Sequence, residues 1–329
     1  MTEPDPAPGG EELARAILRE SPSYDARQIA EAAGVPVEQA SRLWRALGFP
    51  EHDGERAFIT ADVDALQRVS GLVSNGLLDF DTALNLTRAV GQTMARLADW
   101  EVATLVDVIE HLEAGDQATG SRIGSAIRLV EQINPPFEEL LVYVWRRHLA
   151  AAAARTEALG AHEEDLGTVE VTVGFADLVG FTALSNQLDD GGIGDLVEVF
   201  ESRCADAVAA HGGRVVKSIG DSVLFTHASP VEALEIAEAI VEVVGRDARM
   251  PDVRLGLATG SVVMRLGDVF GRPVNLAARL TAVARRNRVI VDEATPGLLP
   301  AGDYQIRRLP ARPVRGFGLV EPLAVRRHG

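Results

Sequence analysis

Four short segments in this chain of 329 residues carry side chains whose types and spacing could do phosphoryl chemistry. In Phe175-Ala-Asp-Leu-Val-Gly-Phe-Thr182 an apolar run ends in a carboxylate, followed by a glycine turn that opens a helix. A carboxylate at a strand end, Asp177, can hold a divalent cation, and the amides of Gly180, Phe181 and Thr182 would face an anion at the helix start. Taken alone, an Asp after an apolar strand, such as Asp177, is more often a cap than a metal ligand. Lys217-Ser-Ile-Gly-Asp221 places a second carboxylate at a hairpin tip, where it could join Asp177 on one cation pair; taken alone, Gly-Asp is a common turn. Two carboxylates without an accompanying base suit two-metal phosphoryl transfer. Gly267-Asp-Val-Phe-Gly271 adds Asp268. Asn275-Leu-Ala-Ala-Arg279 sets an amide and a guanidinium four residues apart on one helix face.

The elements that must position these residues follow from the apolar periodicity. Val169, Val171, Val173 and Phe175 alternate strictly, which predicts a strand leading into Asp177. Residues 195–210 have helical spacing. Residues 214–225 read as a β-hairpin turning at Gly220-Asp221. Helices are predicted over 231–244 and 274–284, and strands over 253–259 and 288–291. This alternation predicts an α+β domain over 168–329. Phe200, Phe225 and Cys204 fall on core positions.

Residues 11–159 carry apolar spacings of three and four throughout and predict an all-helical domain. Leu13, Ile17 and Leu18 form one stripe; Leu105, Val108, Ile109 and Leu112 form another, ending at Gly115. Asn134-Pro-Pro136 predicts a break before a last helix over 137–159, and 160–167 reads as a linker. Residues 1–10 are a disordered tail by composition. Residues 24–49 read as helix–turn–helix with Gly34 in the turn.

Composition narrows the function classes. At 47% apolar and 24% charged residues the chain is globular rather than disordered. No apolar stretch reaches the roughly 18–20 residues of a membrane span, and the acidic, proline-rich start is unlike a signal peptide, so a cytoplasmic protein without a membrane partner is expected. The net charge of −16 disfavours nucleic acid as a partner. In 24–49 the second helix offers only Arg42 and Arg45 as cations, and Trp44 reads as core. Of the 32 basic residues, 31 are arginines and one is a lysine, Lys217.

Taken together and in order, Phe-x-Asp-x-x-Gly-Phe-Thr, Lys-x-x-x-Asp, Gly-Asp-x-Phe-Gly and Val-Asn-x-Ala-x-Arg resemble the class III nucleotidyl cyclase catalytic domain. The resemblance implies a ferredoxin-like fold with a mostly antiparallel central sheet, and conversion of ATP to 3′,5′-cyclic AMP and pyrophosphate. It implies that Asp177 and Asp221, with the carbonyl of Leu178, bind two divalent cations, Mg²⁺ or Mn²⁺. Lys217 and Asp268 would read the base, Asn275 hold the ribose and Arg279 stabilise the pentavalent phosphate. Arg315 aligns with a residue that contacts the terminal phosphates, with Arg307, Arg308 and Arg312 as nearby alternatives. The family's sites form across a homodimer, two composite sites per pair. An ammonium donor beside a carboxylate acceptor complements the adenine edge, whereas guanine N1–H would lose about 1–3 kcal/mol against Lys217, so a guanylate cyclase is the less favoured reading. A nucleotide-sensing DNA-binding regulator is a further alternative.

The helical half followed by a cyclase domain is similar to the autoregulated actinobacterial cyclases. The resemblance implies control of the catalytic dimer by residues 11–159, with acid relieving inhibition. His148 and His162, on the connector, are candidate titrating groups.

Overall fold

The computed structural model of the chain describes residues 8–50, 54–115, 118–158, 168–188, 190–265 and 267–328. It divides into two compact units, Met1–Ala151 and Ala152–Gly329.

The first unit is helical: α1 (Pro8–Leu18), α2 (Ala26–Ala33), α3 (Val37–Leu47), α4 (Thr60–Ser74), α5 (Phe80–Ala114) and α6 (Arg122–Ala158), the last running past the unit boundary. Residues 8–10, read from composition as tail, are the first turn of α1. Ile17 and Leu18 of its stripe stay exposed, so that stripe buries little. α2 starts on a capping box: Asp25 Oδ1 accepts from the amides of Arg27 (2.9 Å) and Gln28 (2.8 Å), while Gln28 Oε1 accepts from Asp25 N at 3.0 Å. It ends at Gly34, whose φ of 70° is the left-handed conformation that glycine adopts without strain. Ile29, Leu43, Phe58, Val63, Leu66 and Leu84 close the core of this unit. Trp44 packs against it, 4.8 Å from Phe58 centroid to centroid.

α5 ends at Gly115, as its sequence predicts. Glu113 ties the following turn: Oε1 accepts from Thr119 N (2.9 Å), from Thr119 Oγ1 (2.8 Å) and from Ser125 Oγ. Those hydrogen bonds, Ser125's foremost, hold its carboxyl at about 2. The expected break at Asn134-Pro-Pro136 does not occur; Pro135 and Pro136 lie inside α6. A proline's fixed φ is itself helical, and what is lost is the amide donor to the carbonyl four residues back, a cost of about 3 kcal/mol per proline. The helical residues on both sides of the pair carry the chain through. The predicted linker over 160–167, and His162 within it, lie outside the described residues.

The second unit contains β1 (Thr168–Leu178), α7 (Phe181–Ser185), α8 (Asp190–Ala210), β2 (Arg214–Ile219), β3 (Ser222–His227), α9 (Pro230–Gly245), β4 (Val253–Arg265), β5 (Asp268–Phe270), α10 (Arg272–Val283) and β6 (Arg288–Val291). β7 (Tyr304–Arg308), β8 (Arg312–Val314), β9 (Gly318–Val320) and β10 (Leu323–Arg327) follow. The sheet order is β2-β3-β1-β4-β6-β10-β7, with β5 paired to β4, and only β4–β6 is parallel among the described pairs. The mostly antiparallel α+β architecture expected from the sequence is present. β4 runs on to Arg265, past the predicted end at Thr259.

Alternation along β1 decides which layer each side chain meets. Ala176 and Leu178 join Phe200, Cys204, Phe225, Ile236 and Ile240 beneath α8 and α9. Val171, Val173 and Phe175 face the other way, with Ala277 of α10. Phe200 and Phe225 are fully buried, each contributing about 1.5–3 kcal/mol by leaving water. Cys204 is fully buried too, and burial pushes its thiol up to about 12, so it is a core residue and not a nucleophile. Asp177 continues the Val171–Val173–Phe175 alternation and so falls on the α10 layer.

α10 can approach the sheet because β4 carries Gly256 beneath it. A Cβ there would stand 2.4 Å from Thr281 N and 2.6 Å from Ala277 O, both backbone atoms of α10. Gly256→Ala is therefore expected to push the helix outward, costing about 1–3 kcal/mol. Thermal melting should fall; a variant with wild-type melting would show that the helix does not rest on this glycine.

Candidate active site

The two carboxylates meet at one end of the sheet. Asp177 is the penultimate residue of β1, and its cross-strand partners are Ser222 on β3 and Arg254 on β4. Asp221 occupies the turn between β2 and β3, beside Gly220 at a φ of 59°. Its main-chain oxygen accepts from Leu178 N at 3.1 Å, which locks the hairpin tip to the end of β1. Burial raises the Asp221 carboxyl above its ordinary value, and the negative charge of Asp177 raises it further. Two acids that repel in this way make a site that favours a cation. The donors at hand, two carboxylates and the peptide carbonyl of Leu178, are hard oxygens suited to Mg²⁺ or Mn²⁺.

Asp177 is also held from both flanks. Ser222 Oγ donates to Oδ1 at 2.5 Å, and Arg254 Nε donates to Oδ2 at 2.7 Å. Sequence reasoning did not single out Arg254. Its one local signal is a charge inside the otherwise apolar run Val253-Arg-Leu-Gly-Leu257; its partner becomes visible only through the β1–β4 register.

Lys217 and Asp268 are 51 residues apart in sequence, yet Lys217 Nζ donates to Asp268 Oδ2 at 2.5 Å. Arg214 Nη2, which reaches Gly267 O at 2.5 Å, fastens the same β5 turn to β2. Burial works against the Asp268 charge, but the Lys217 hydrogen bond and the Val269 amide outweigh it and hold the carboxyl below its ordinary value. The pair thus presents an ammonium and an ionised carboxylate side by side.

Asn275 and Arg279 lie on one face of α10, both exposed, and neither side chain has a hydrogen-bond or ionic partner among the described residues. Phe181 and Thr182 open α7 behind Gly180, and Phe181 packs against the core with its amide at the helix start. Arg315 sits exposed between β8 and β9; of its neighbours, Arg308 is paired with Glu321 at 3.0 Å. Large apolar side chains stay in water around these residues: Ile219 beside the Asp221 turn, Phe270 beside Asp268 and Leu319 on β9.

In the first unit, Arg42 of the helix–turn–helix segment is spent on the fold, its guanidinium 4.7 Å over the Phe80 ring and 3.4 Å from Asp81. Arg45 reaches Ser41 O at 3.4 Å. No described helix is long and apolar enough to cross a membrane.

Two family models match the chain. Residues 165–324 match the adenylate and guanylate cyclase catalytic domain, and residues 13–149 the adenylate cyclase regulatory domain. An adenylate cyclase of Streptomyces coelicolor is 41% identical, covering 99% of this chain and 93% of its own length. One of Streptomyces griseus is 37% identical over 99% of this chain and 91% of its own. A pH-sensitive adenylate cyclase of Mycobacterium tuberculosis is 34% identical over 82% of this chain and 68% of its own. With both halves matched and relatives aligned almost end to end, the chain belongs to the class III adenylate cyclases, its catalytic domain preceded by a regulatory one.

Proposed function

We propose that this chain converts ATP to 3′,5′-cyclic AMP and pyrophosphate by attack of the ribose 3′-hydroxyl on the α-phosphate. The observation that carries the substrate choice is the Lys217–Asp268 pair. Adenine offers an acceptor at N1 and a donor at N6; the ammonium donates to the first and the carboxylate accepts from the second. Lys217 is the chain's one lysine, so the position does not follow the arginine bias of the rest.

Asp177 and Asp221, with the Leu178 carbonyl, are the residues that would hold two divalent cations. Bound there, Mg²⁺ or Mn²⁺ would ease loss of the hydroxyl proton and offset charge on the α-phosphate. Asn275 orients the ribose through its amide, and Arg279, one turn along the same face, meets the charge that builds on the phosphate in the transition state. Arg315, exposed in its turn, faces the terminal phosphates. The exposed Ile219, Phe270 and Leu319 support a homodimer in which a second copy covers them, with the carboxylates of one protomer opposite the base- and ribose-binding residues of its partner.

Residues 13–149 control that dimer in this reading. Support comes from the match to a regulatory domain, from the pH-sensitive relative, and from α6, which carries the exposed His148 and continues to Ala158 as one helix.

Cyclic AMP formation from ATP with Mn²⁺ tests the reading directly. Asp221→Ala is expected to lower turnover by about a hundredfold or more, since several kcal/mol of charge stabilisation leave with the cation. Retained turnover would remove Asp221 from the metal site. The ratio of full-length activity to that of residues 165–329 gives the sign of N-terminal control, and a ratio flat from about pH 5.5 to 8 would exclude a histidine-linked pH response. Lys217→Glu is expected to cut kcat/KM for ATP by about tenfold or more and to move the ATP-to-GTP ratio toward GTP. An unchanged ratio would show that the base is read elsewhere.

A further inference from the structure

Asp177 is already neutralised from within the chain. Arg254 approaches Oδ2 side-on, with Nε at 2.7 Å and Nη2 at 2.6 Å, while Ser222 Oγ takes Oδ1. The third guanidinium nitrogen, Nη1, donates to Ala282 O at 3.3 Å, at the C-terminal end of α10. The Arg254 and Asp177 side chains are only 30% and 15% exposed. A guanidinium tied at all three nitrogens is fixed in place, unlike a surface arginine that drapes over its neighbours.

This arrangement conflicts with cation binding at the same oxygen. The Nε–H hydrogen bond and the close Nη2 contact crowd Oδ2 on the side from which a metal ion would approach it. A divalent ion on that oxygen would also stand next to a fixed positive charge. Yet without either cation, Asp177 and Asp221 would repel at the strand end. The guanidinium relieves that repulsion by standing 2.6 Å from Asp177 Oδ2 at the same end of the sheet.

We propose that Arg254 is an internal counter-cation for Asp177, which holds the carboxylate in position in the metal-free protein and must release Oδ2 before a divalent cation binds there. The proposal rests on the reading of Asp177 as a metal ligand. Arg254 is then a positioning residue that sets how weakly the free enzyme takes up metal. Because Nη1 is anchored on α10, release of Asp177 is mechanically linked to the helix that carries Asn275 and Arg279.

The test is Mn²⁺ binding to the full-length, nucleotide-free protein, followed by electron paramagnetic resonance of the free ion. Asp177→Asn is expected to weaken binding, and Arg254→Gln to tighten it by about tenfold. Arg254→Lys keeps the charge and is expected to stay within about threefold of wild type. If Asp177→Asn leaves binding unchanged, the metal-ligand reading of Asp177 falls. If it weakens binding while Arg254→Gln leaves affinity unchanged or lower, that reading stands and the counter-cation role falls. A second readout uses the native chain in case Arg254→Gln does not fold. The Arg254 Nε–H resonance, identified by its absence in Arg254→Lys, should be protected in the metal-free protein and exchange faster on saturation with Mg²⁺. A resonance unmoved by Mg²⁺ overturns the proposal.

Discussion

Mutual repulsion between Asp177 and Asp221 is the constraint around which the catalytic unit is arranged. Carboxylates brought together at a strand end destabilise each other unless a positive charge or a set of donors stands between them. Several features of the unit answer that problem. The β1–β4 ladder aligns Arg254 with Asp177, the β1–β3 ladder aligns Ser222, and the Leu178 amide pins the Asp221 turn. None of these contacts forms unless the strands pair in this register, because a slip of one residue would turn Asp177 into the layer beneath α8 and α9. The apolar core under the sheet therefore fixes the geometry of the charged end, and Phe200 and Phe225 support the site without touching it.

The second recognition element is built on different elements. Lys217 comes from β2 and Asp268 from β5, joined by a salt bridge and by the Arg214 link to Gly267. Among the described residues, the side chains of Asn275 and Arg279 remain without partners on α10, which rests on β4 at Gly256. Side chains already bonded to each other are preorganised for a base edge, whereas those left free are available to a substrate that arrives across an interface. The exposed Ile219, Phe270 and Leu319 would give the proposed interface a driving force.

Much of this was legible in the sequence, for physical reasons that differ by element. The strand into Asp177 shows alternation because Val171, Val173 and Phe175 share one apolar layer, while the positions between them are taken by Thr172 and Gly174. The 214–225 hairpin is marked by its Gly-Asp turn. The site residues cluster in short motifs, so the candidate list could be drawn up before any fold was known. Arg254 could not be found in that way: its importance lies in a cross-strand neighbour 77 residues distant, which local pattern does not encode. The uninterrupted α6 was missed for a related reason. Proline is a strong local stop signal, but here both flanking segments are helical and the paired prolines fit the helical φ. Periodicity marks the α1 stripe Leu13, Ile17 and Leu18 but not its burial, and Ile17 and Leu18 remain in solvent.

In the proposed homodimer, the carboxylates that would hold the metal ions in one protomer act on a nucleotide held by its partner. Mixing Asp221→Ala and Arg279→Ala subunits, each nearly silent alone, measures it most directly. A heterodimer carries one site with both wild-type residues and one with neither. Heterodimers make up about half of a statistical mixture, so cyclic AMP formation should return to about a quarter of wild type. A mixture that exchanges subunits yet stays as silent as its components would place the whole reaction within a single chain.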